Sequence, residues 1–135
     1  MKYLLDTHTL IWVAQDTKKL SQKAKNIIID ESNEIYVSTI SFWEIALKTS
    51  IGKFSFGNLD IDDFPKLSRK MGFRIIELDE QASITFHKLP RKENHKDPFD
   101  RMLVWQAITN DFVLISKDAS IKQYKENGLN LVWYS

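Results

Sequence analysis

Carboxylates are the groups in this sequence whose type and spacing could do chemistry. Five acidic residues stand at or near the ends of apolar runs: Asp6, Glu44, Asp97, Asp100 and Asp118. Grouped carboxylates repel one another, so a divalent cation between them would be the natural compensation. Because the chain contains no cysteine, a site built from oxygen ligands points to Mg²⁺ or Mn²⁺ rather than to zinc.

Such an ion would suit the cleavage of a phosphodiester bond. Mg²⁺ held by carboxylates keeps several of its water molecules and binds phosphates. The ion would lower the pKa of a bound water and neutralise the charge that grows on the phosphoryl oxygens. One ion or two would serve this chemistry.

Each acid also has a purely structural interpretation. Asp6 and Asp118 are placed to cap the helices that follow them, each accepting backbone N–H bonds worth about 1 kcal/mol. The run from Asp97 to Asp100 matches the start of a helix, with proline at the first helical position and an acid favoured by the helix dipole. Glu44 could pair with Lys48 four residues on, for a few tenths of a kcal/mol.

Helical periodicity places Glu44 near the interior. In the helix predicted from Ser41 to Ile51, Glu44 lies on the flank of an apolar stripe that we expect to face the core. That stripe consists of Ile40, Trp43, Leu47 and Ile51. A surface salt bridge would lie on the opposite side of the helix, so this register favours a functional role for Glu44.

The same reasoning applies to Asp100 in the helix predicted from Pro98 to Asn110. Asp100 shares one face with three apolar residues that we expect to contact the sheet, Leu103, Val104 and Ala107. Arg101 and Gln106 are predicted to point away from the sheet. This register favours Asp100 as the metal ligand and leaves Asp97 as the helix cap or a supporting partner.

The elements that must position these acids alternate between strand and helix. Five β-rich runs predict strands: Tyr3 to Leu5, Ile35 to Val37, Arg74 to Ile76, Phe112 to Ile115 and Leu131 to Trp133. Helical periodicity marks Ser21 to Glu31, Ser41 to Ile51, Asp60 to Met71, Glu80 to Leu89 and Pro98 to Asn110. The alternation predicts an α/β protein, three-layer α/β/α with a central, mostly parallel five-stranded sheet. The acids would converge at its carboxyl edge, where ligands bind.

Composition sets the remaining limits. The 135 residues, 43% hydrophobic and 27% charged, predict one domain spanning residues 1–135. No apolar run approaches the roughly 20 residues of a membrane span, and Asp6 interrupts the first apolar run too early for a signal peptide. We therefore expect a cytoplasmic protein. The net charge of +1 does not by itself indicate a nucleic-acid-binding protein.

Four segments, in this order and spacing, resemble the PIN domain, and specifically its VapC-like toxins. They are Tyr3 to His8, Ser41 to Ile45, His95 to Arg101, and Leu114 to Asp118. The resemblance covers essentially the whole chain. It implies a metal-dependent endoribonuclease that acts as the toxin of a toxin–antitoxin system, forms a homodimer and is inhibited by a small cognate antitoxin.

The resemblance also implies roles for individual residues. The metal ligands for Mg²⁺ or Mn²⁺ would be Asp6, Glu44, Asp100 and Asp118, and Asp97 would assist catalysis as cap or supporting group. Ser116 would orient a ligand or a water, with Thr7 as another supporting residue.

Lys96 and Arg101 belong to a basic group that could hold RNA phosphates by charge. Apolar residues off the expected core faces could mark protein interfaces or be covered by other helices: Phe42, Ile45, Met102 and Trp105.

Three alternatives remain at this stage. A haloacid-dehalogenase-like phosphohydrolase would use Asp6 as nucleophile, but His8 stands where such enzymes place a second aspartate. A receiver-type signalling domain would leave Glu44 unexplained. A catalytically silent PIN-like binding module would keep the acids only as caps, and it would show no stabilisation by Mg²⁺ or Mn²⁺. His8 and His95 flank the acidic motifs, close enough to touch substrate or donate a proton.

Overall fold

A parallel five-stranded sheet forms the centre of the computed structural model, which describes residues 1–132. The strands are β1 (Lys2–Leu5), β2 (Glu34–Ser38), β3 (Arg74–Ile76), β4 (Val113–Ile115) and β5 (Asn130–Val132). Their order across the sheet is β3-β2-β1-β4-β5, and every neighbouring pair is parallel. The predicted parallel sheet is confirmed; Trp133, predicted in the last strand, lies outside the described residues.

Helices connect the strands and cover both faces of the sheet. They are α1 (Thr7–Gln15), α2 (Gln22–Ile29), α3 (Thr39–Ser50), α4 (Asp63–Lys70), α5 (Glu80–Thr85) and α6 (Pro98–Asn110). Segments of 3₁₀ helix occupy Thr17–Lys19, Phe86–Lys88 and Ala119–Asn127. No helix within residues 1–132 combines the length and the apolar content that crossing a membrane would need.

The alternation of side chains along β1 divides the core into two clusters. Leu5 packs with apolar residues of α1, α2 and α4 on one face of the sheet. Leu4 packs with apolar residues of α6 and of the 3₁₀ helix Ala119–Asn127 on the other face. The predicted three-layer α/β/α arrangement is therefore confirmed.

Helical periodicity did not predict helix α1. Its sequence, from Thr7 to Gln15, is rich in β-branched and aromatic residues, which have low helix propensity. Burial of one side against the sheet outweighs that preference, and Asp6 caps the first turn. Three of the predicted helices are shorter than expected: α2 ends at Ile29, α4 begins at Asp63, and α5 gives way to 3₁₀ geometry at Phe86.

The predicted core stripe of α3 is wrong. Ile40 is buried, but Trp43, Leu47 and Ile51 are 58%, 40% and 58% exposed. The buried face of the helix carries Ile40, Ser41, Glu44 and Ile45. The helix is rotated because two of its polar residues have partners inside: Ser41 accepts a hydrogen bond from the Thr7 hydroxyl, and Glu44 pairs with Lys48.

Helix α6 follows the predicted register with one exception. Leu103, Val104 and Ala107 are buried, as expected for residues that face the sheet. Gln106 was predicted to point away but is also buried, because its side-chain oxygen accepts a 2.6 Å hydrogen bond from the Ser38 hydroxyl. This bond ties α6 to the end of β2.

Candidate active site

Three of the predicted acids line one open cleft at the carboxyl edge of the sheet. Asp6 directly follows β1, Asp118 comes shortly after β4, and Asp100 lies in the first turn of α6. The cleft has a volume of about 370 Å³, and its other lining residues are His8, Trp12, Lys117 and Ala119. These three acids therefore converge at the carboxyl edge of the sheet, as expected for a parallel sheet.

Asp6 is a buried carboxylate in the floor of the cleft. Its Oδ1 accepts the backbone N–H of Thr9 at 2.8 Å, which caps α1. Burial raises the pKa of Asp6; hydrogen bonds from Ser116 and Thr9 oppose that rise, and the nearby charge of Asp100 adds to it. An ionised Asp6 is therefore costly unless a cation approaches it.

Ser116 connects two of the acids. It is fully buried just after β4, and its hydroxyl oxygen accepts the backbone N–H of Asp118 at 3.0 Å. Because hydrogen bonding by the same side chain lowers the pKa of Asp6, Ser116 contacts both sides of the cleft. The orienting role that the resemblance implied for Ser116 stays a prediction.

Asp118 uses one carboxylate oxygen for structure and presents the other to the cleft. Its Oδ1 accepts the backbone N–H and the hydroxyl of Ser120, at 2.9 and 2.6 Å. Its Oδ2 lies 3.9 Å from Nε2 of His95, and Oδ2 of Asp100 lies 3.7 Å from the same nitrogen. One ligand atom from each of these three residues lies within 4.8 Å of the other two.

His95 is the residue that sequence reasoning left out of the ligand set. The ring is buried, its Nδ1 is hydrogen bonded to the Tyr124 hydroxyl at 2.8 Å, and Nε2 has no hydrogen-bond partner within residues 1–132. The sequence signal was its position two residues before Asp97, but its contacts with Asp118 and Tyr124 come from distant segments. A buried nitrogen of this kind, facing two carboxylates, fits the ligand chemistry of a divalent ion.

Glu44 is not among the residues that line the acidic cleft, and its side chain is paired with an internal cation. Its Oε2 forms an ion pair with Lys48, whereas Oε1 is buried without a hydrogen-bond partner in the described part of the chain. Partial burial acts to lower the pKa of Lys48, but the hydrogen bond and charge of Glu44 and the charges of Asp97 and Asp100 raise it. Lys48 therefore stays an ammonium ion. The ligand role of Glu44 stays a prediction.

Asp97 occupies the capping position that the sequence favoured. Its Oδ1 accepts the backbone N–H groups of Phe99 and Asp100, at 2.8 and 3.1 Å. Its Oδ2 lies 3.8 Å from the Lys48 ammonium. Asp97 thus fixes the first turn of α6, which carries Asp100.

The other predicted supporting residues lie in different surroundings. Thr7 is buried and donates to the Ser41 hydroxyl at 3.0 Å, so it joins α1 to α3. Arg101 donates to the carbonyl oxygens of Leu89 and Pro90, at 3.0 and 3.2 Å. Arg101 therefore anchors the loop before α6. Lys96 is exposed beside that anchor.

A second cleft adjoins the acidic one. Its volume is about 530 Å³, and its lining residues are Arg91, Lys92, Glu93, His95, Lys96 and Arg101. Lys92 is engaged by Glu126 at 2.6 Å and lies over the Tyr124 ring. His95 lines this basic cleft, and its Nε2 faces Asp100 and Asp118 of the acidic cleft. The His95 side chain therefore lies between the two clefts.

Fold and site together define an α/β protein with a carboxylate centre at the carboxyl edge of a parallel sheet. The family model described as the PIN domain matches residues 3–127, and the chain belongs to this family. The resemblance stated from the sequence is thereby confirmed.

Individual relatives agree with this assignment. The chain is 24% identical over 130 residues to Ribonuclease VapC22 of Mycobacterium tuberculosis, covering 96% of this chain and 97% of that protein. The structure of VapBC2 from Rickettsia felis bound to a promoter DNA fragment matches with a TM-score of 0.70, 17% identity and 100% coverage of both chains. VapBC-1 from nontypeable Haemophilus influenzae matches with a TM-score of 0.70, 18% identity, and coverage of 99% and 98%. At these identities the structures establish the shared fold.

Proposed function

We propose that this protein is a Mg²⁺- or Mn²⁺-dependent endoribonuclease that acts in the cytoplasm as the toxin of a toxin–antitoxin system. The observation that carries the proposal is the convergence of Asp6, Asp100 and Asp118 on one cleft. Membership of the PIN family supports it, as does the name of the relative from Mycobacterium tuberculosis, a ribonuclease.

The carboxylates would hold the ion, and the ion would supply an activated water and neutralise charge on the phosphodiester. Its predicted ligands are Asp6, Glu44, Asp100 and Asp118. Asp97 keeps Asp100 in place by capping α6. The raised pKa of Asp6, caused first by burial, means that a cation in the cleft would favour its ionised form.

The basic cleft would hold the RNA backbone. Arg91 and Lys96 are exposed on its wall, next to His95 and the acidic cleft. Contacts of lysine and arginine with phosphates fix the position of a nucleic acid without reading its sequence. Binding there would direct a neighbouring phosphodiester towards the carboxylates.

Protein partners would bind elsewhere. Helix α3 exposes three large apolar side chains, Trp43, Leu47 and Ile51, and exposed apolar groups of this kind can mark protein interfaces. The VapBC structures that this chain resembles are complexes by name. We propose that a cognate antitoxin binds this chain and that the chain forms a homodimer, with the α3 surface in one of these contacts.

The test is cleavage of a mixed RNA pool by the purified chain with Mg²⁺ or Mn²⁺. Wild type should cleave, and Asp100→Asn should lose at least about 100-fold of that activity, the usual scale for removing an electrostatic group from an active site. The matched control is Asp79→Asn, the same chemical change at the cap of α5, outside the cleft. Failure of the folded wild type to cleave, or full activity of Asp100→Asn, would contradict the proposal. The first result would favour a silent binding module.

A further inference from the structure

The His95 side chain is held in one orientation by its surroundings. Its ring is 5% exposed, and Nδ1 is hydrogen bonded to the hydroxyl of Tyr124, a residue with no exposed surface. The two rings also pack edge to face, with their centroids 5.3 Å apart. The Lys92 ammonium lies over the Tyr124 ring, 5.6 Å from its centroid. The imidazole therefore has little freedom to turn away from the acids.

The second nitrogen of this ring faces the acids without bonding to them. Nε2 lies 3.7 Å from Oδ2 of Asp100 and 3.9 Å from Oδ2 of Asp118. These separations exceed the range of an N–H···O hydrogen bond. Buried polar atoms normally have partners, and this atom has none within the described residues.

These separations are those of two ligand atoms on one ion, for His95 paired with either aspartate. Two atoms that are each about 2.1 Å from an ion lie about 3.0 Å apart at a right angle and about 4.2 Å apart on opposite sides. The distances of 3.7 and 3.9 Å fall between these limits. Ligand atoms of all three residues also lie within 4.8 Å of one another, so the three side chains are close enough to share one ion.

We propose that His95 is a ligand of the catalytic divalent ion through Nε2, together with Asp100 and Asp118. This inference rests on the proposed metal-dependent function. The Tyr124 hydroxyl would accept the Nδ1 hydrogen and so leave the Nε2 lone pair free for the ion. Metal-binding histidines commonly use their other ring nitrogen in this way.

A nitrogen ligand changes which ion the site prefers. Carboxylates alone suit Mg²⁺ and Mn²⁺, whereas imidazole favours first-row transition ions. The site should therefore bind Mn²⁺ and Co²⁺ more tightly than Mg²⁺. Removing the imidazole should reduce that preference.

The direct test is pulsed electron paramagnetic resonance of Mn²⁺ added to the full chain, because a coordinated ¹⁴N nucleus modulates the electron spin echo. We expect nitrogen modulation in the wild type and none in His95→Asn. The matched control is His8→Asn, since His8 also lines the acidic cleft; its modulation should match that of the wild type. Modulation that is absent from the wild type, or that persists in His95→Asn, would overturn the proposal.

Titration calorimetry with Mn²⁺ and Mg²⁺ separates this inference from the proposed function. His95→Asn should weaken Mn²⁺ binding by roughly 100-fold and Mg²⁺ binding by less, whereas Tyr124→Phe, which keeps the ring, should weaken Mn²⁺ binding by roughly 10-fold. If Asp100→Asn abolishes binding but His95→Asn binds like the wild type, the metal site stands and His95 is not a ligand. If the wild type binds neither ion, the proposed function fails as well. Circular dichroism in EDTA verifies that each variant is folded.

Discussion

Replacing Lys48 by methionine should destabilise the protein strongly, because it would leave Glu44 charged in the interior. The Glu44 side chain is 2% exposed, and its Oε2 is paired with the Lys48 ammonium. Its Oε1 already lacks a hydrogen-bond partner among residues 1–132. Methionine keeps most of the length of the lysine side chain but lacks the ammonium group that pairs with Glu44.

The expected loss follows from the burial of the two partners. Removing one member of a buried ion pair costs about 3–5 kcal/mol. Because the Lys48 side chain is 19% exposed, water reaches part of the site, and we expect about 2–4 kcal/mol. A domain of 135 residues has an unfolding entropy of about 0.28 kcal/mol/K, so a loss of about 3 kcal/mol lowers Tm by about 10 °C.

The assay is thermal unfolding in EDTA, followed by circular dichroism. The control is Lys66→Met, the same change at an exposed position of α4, which should alter the free energy of unfolding by no more than about 0.5 kcal/mol. A second substitution, Glu44→Gln, should recover most of the stability lost in Lys48→Met, since no buried charge remains. A Tm for Lys48→Met within about 2 °C of the wild type, or no recovery in the double variant, would refute the reasoning.

The same variant tests the ligand role of Glu44. In the wild type, Lys48 neutralises Glu44 and would compete with a metal ion for its oxygens. Without that ammonium, added Mn²⁺ should raise the Tm of Lys48→Met more than it raises the Tm of the wild type. Equal shifts would indicate that Glu44 does not hold the ion.

Three further substitutions test other parts of the structure. Burial raises the pKa of Asp6, so ionisation of its side chain disfavours folding above that raised pKa. Asp6→Asn, which keeps a capping side chain, should therefore raise Tm in EDTA at neutral pH. This advantage over the wild type should shrink as the pH falls through the raised pKa. Gln106→Leu leaves the buried Ser38 hydroxyl without its acceptor and should cost about 1–3 kcal/mol in urea unfolding. Trp43→Ala removes a 58% exposed ring and should cost only about 0.5–1.5 kcal/mol, from its contact with Phe99, yet weaken self-association in sedimentation.

Each of these has a result that would contradict it. A Tm advantage of Asp6→Asn that is constant with pH would mean that ionisation of Asp6 is not its cause. Because Ser38 also caps α3, the comparison is made in a Ser38→Ala background: Gln106→Leu should cost less there than in the wild type, and an equal cost would assign the loss to packing instead. Unaltered sedimentation of Trp43→Ala, in a wild type that does self-associate, would exclude Trp43 from that contact.

The sheet and most of the site could be predicted because both depend on local patterns. Short β-branched runs mark the strands, and in a parallel sheet the residue after a strand lies at a known edge. Asp6 and Asp118 follow from that rule. Asp100 follows from the helical period of α6, whose predicted sheet-facing residues are buried.

The remainder depends on contacts that a local pattern does not contain. Periodicity assigned Trp43 to the core because large apolar residues are usually buried, but α3 instead buries Ser41 and Glu44, whose partners lie within reach. His95 is held in the site by its hydrogen bond with Tyr124, which belongs to a 3₁₀ helix that periodicity did not predict. The Glu44–Lys48 pair is local and the sequence offered it, but the partners of Ser41 and His95 lie in distant segments, and composition alone does not reveal such partners.

The central position of β1 affects how this protein is made. Tyr3 pairs with Ile35 on one side and with Val113 on the other, so β1 gains its second neighbour only after residue 113 has been synthesised. Until then one edge of β1 is open, which exposes the nascent chain to wrong pairings. The delay also has a benefit: a cleft that needs both Asp6 and Asp118 does not exist on an unfinished chain. A chain whose synthesis has not yet reached residue 118 therefore lacks one of the proposed metal ligands.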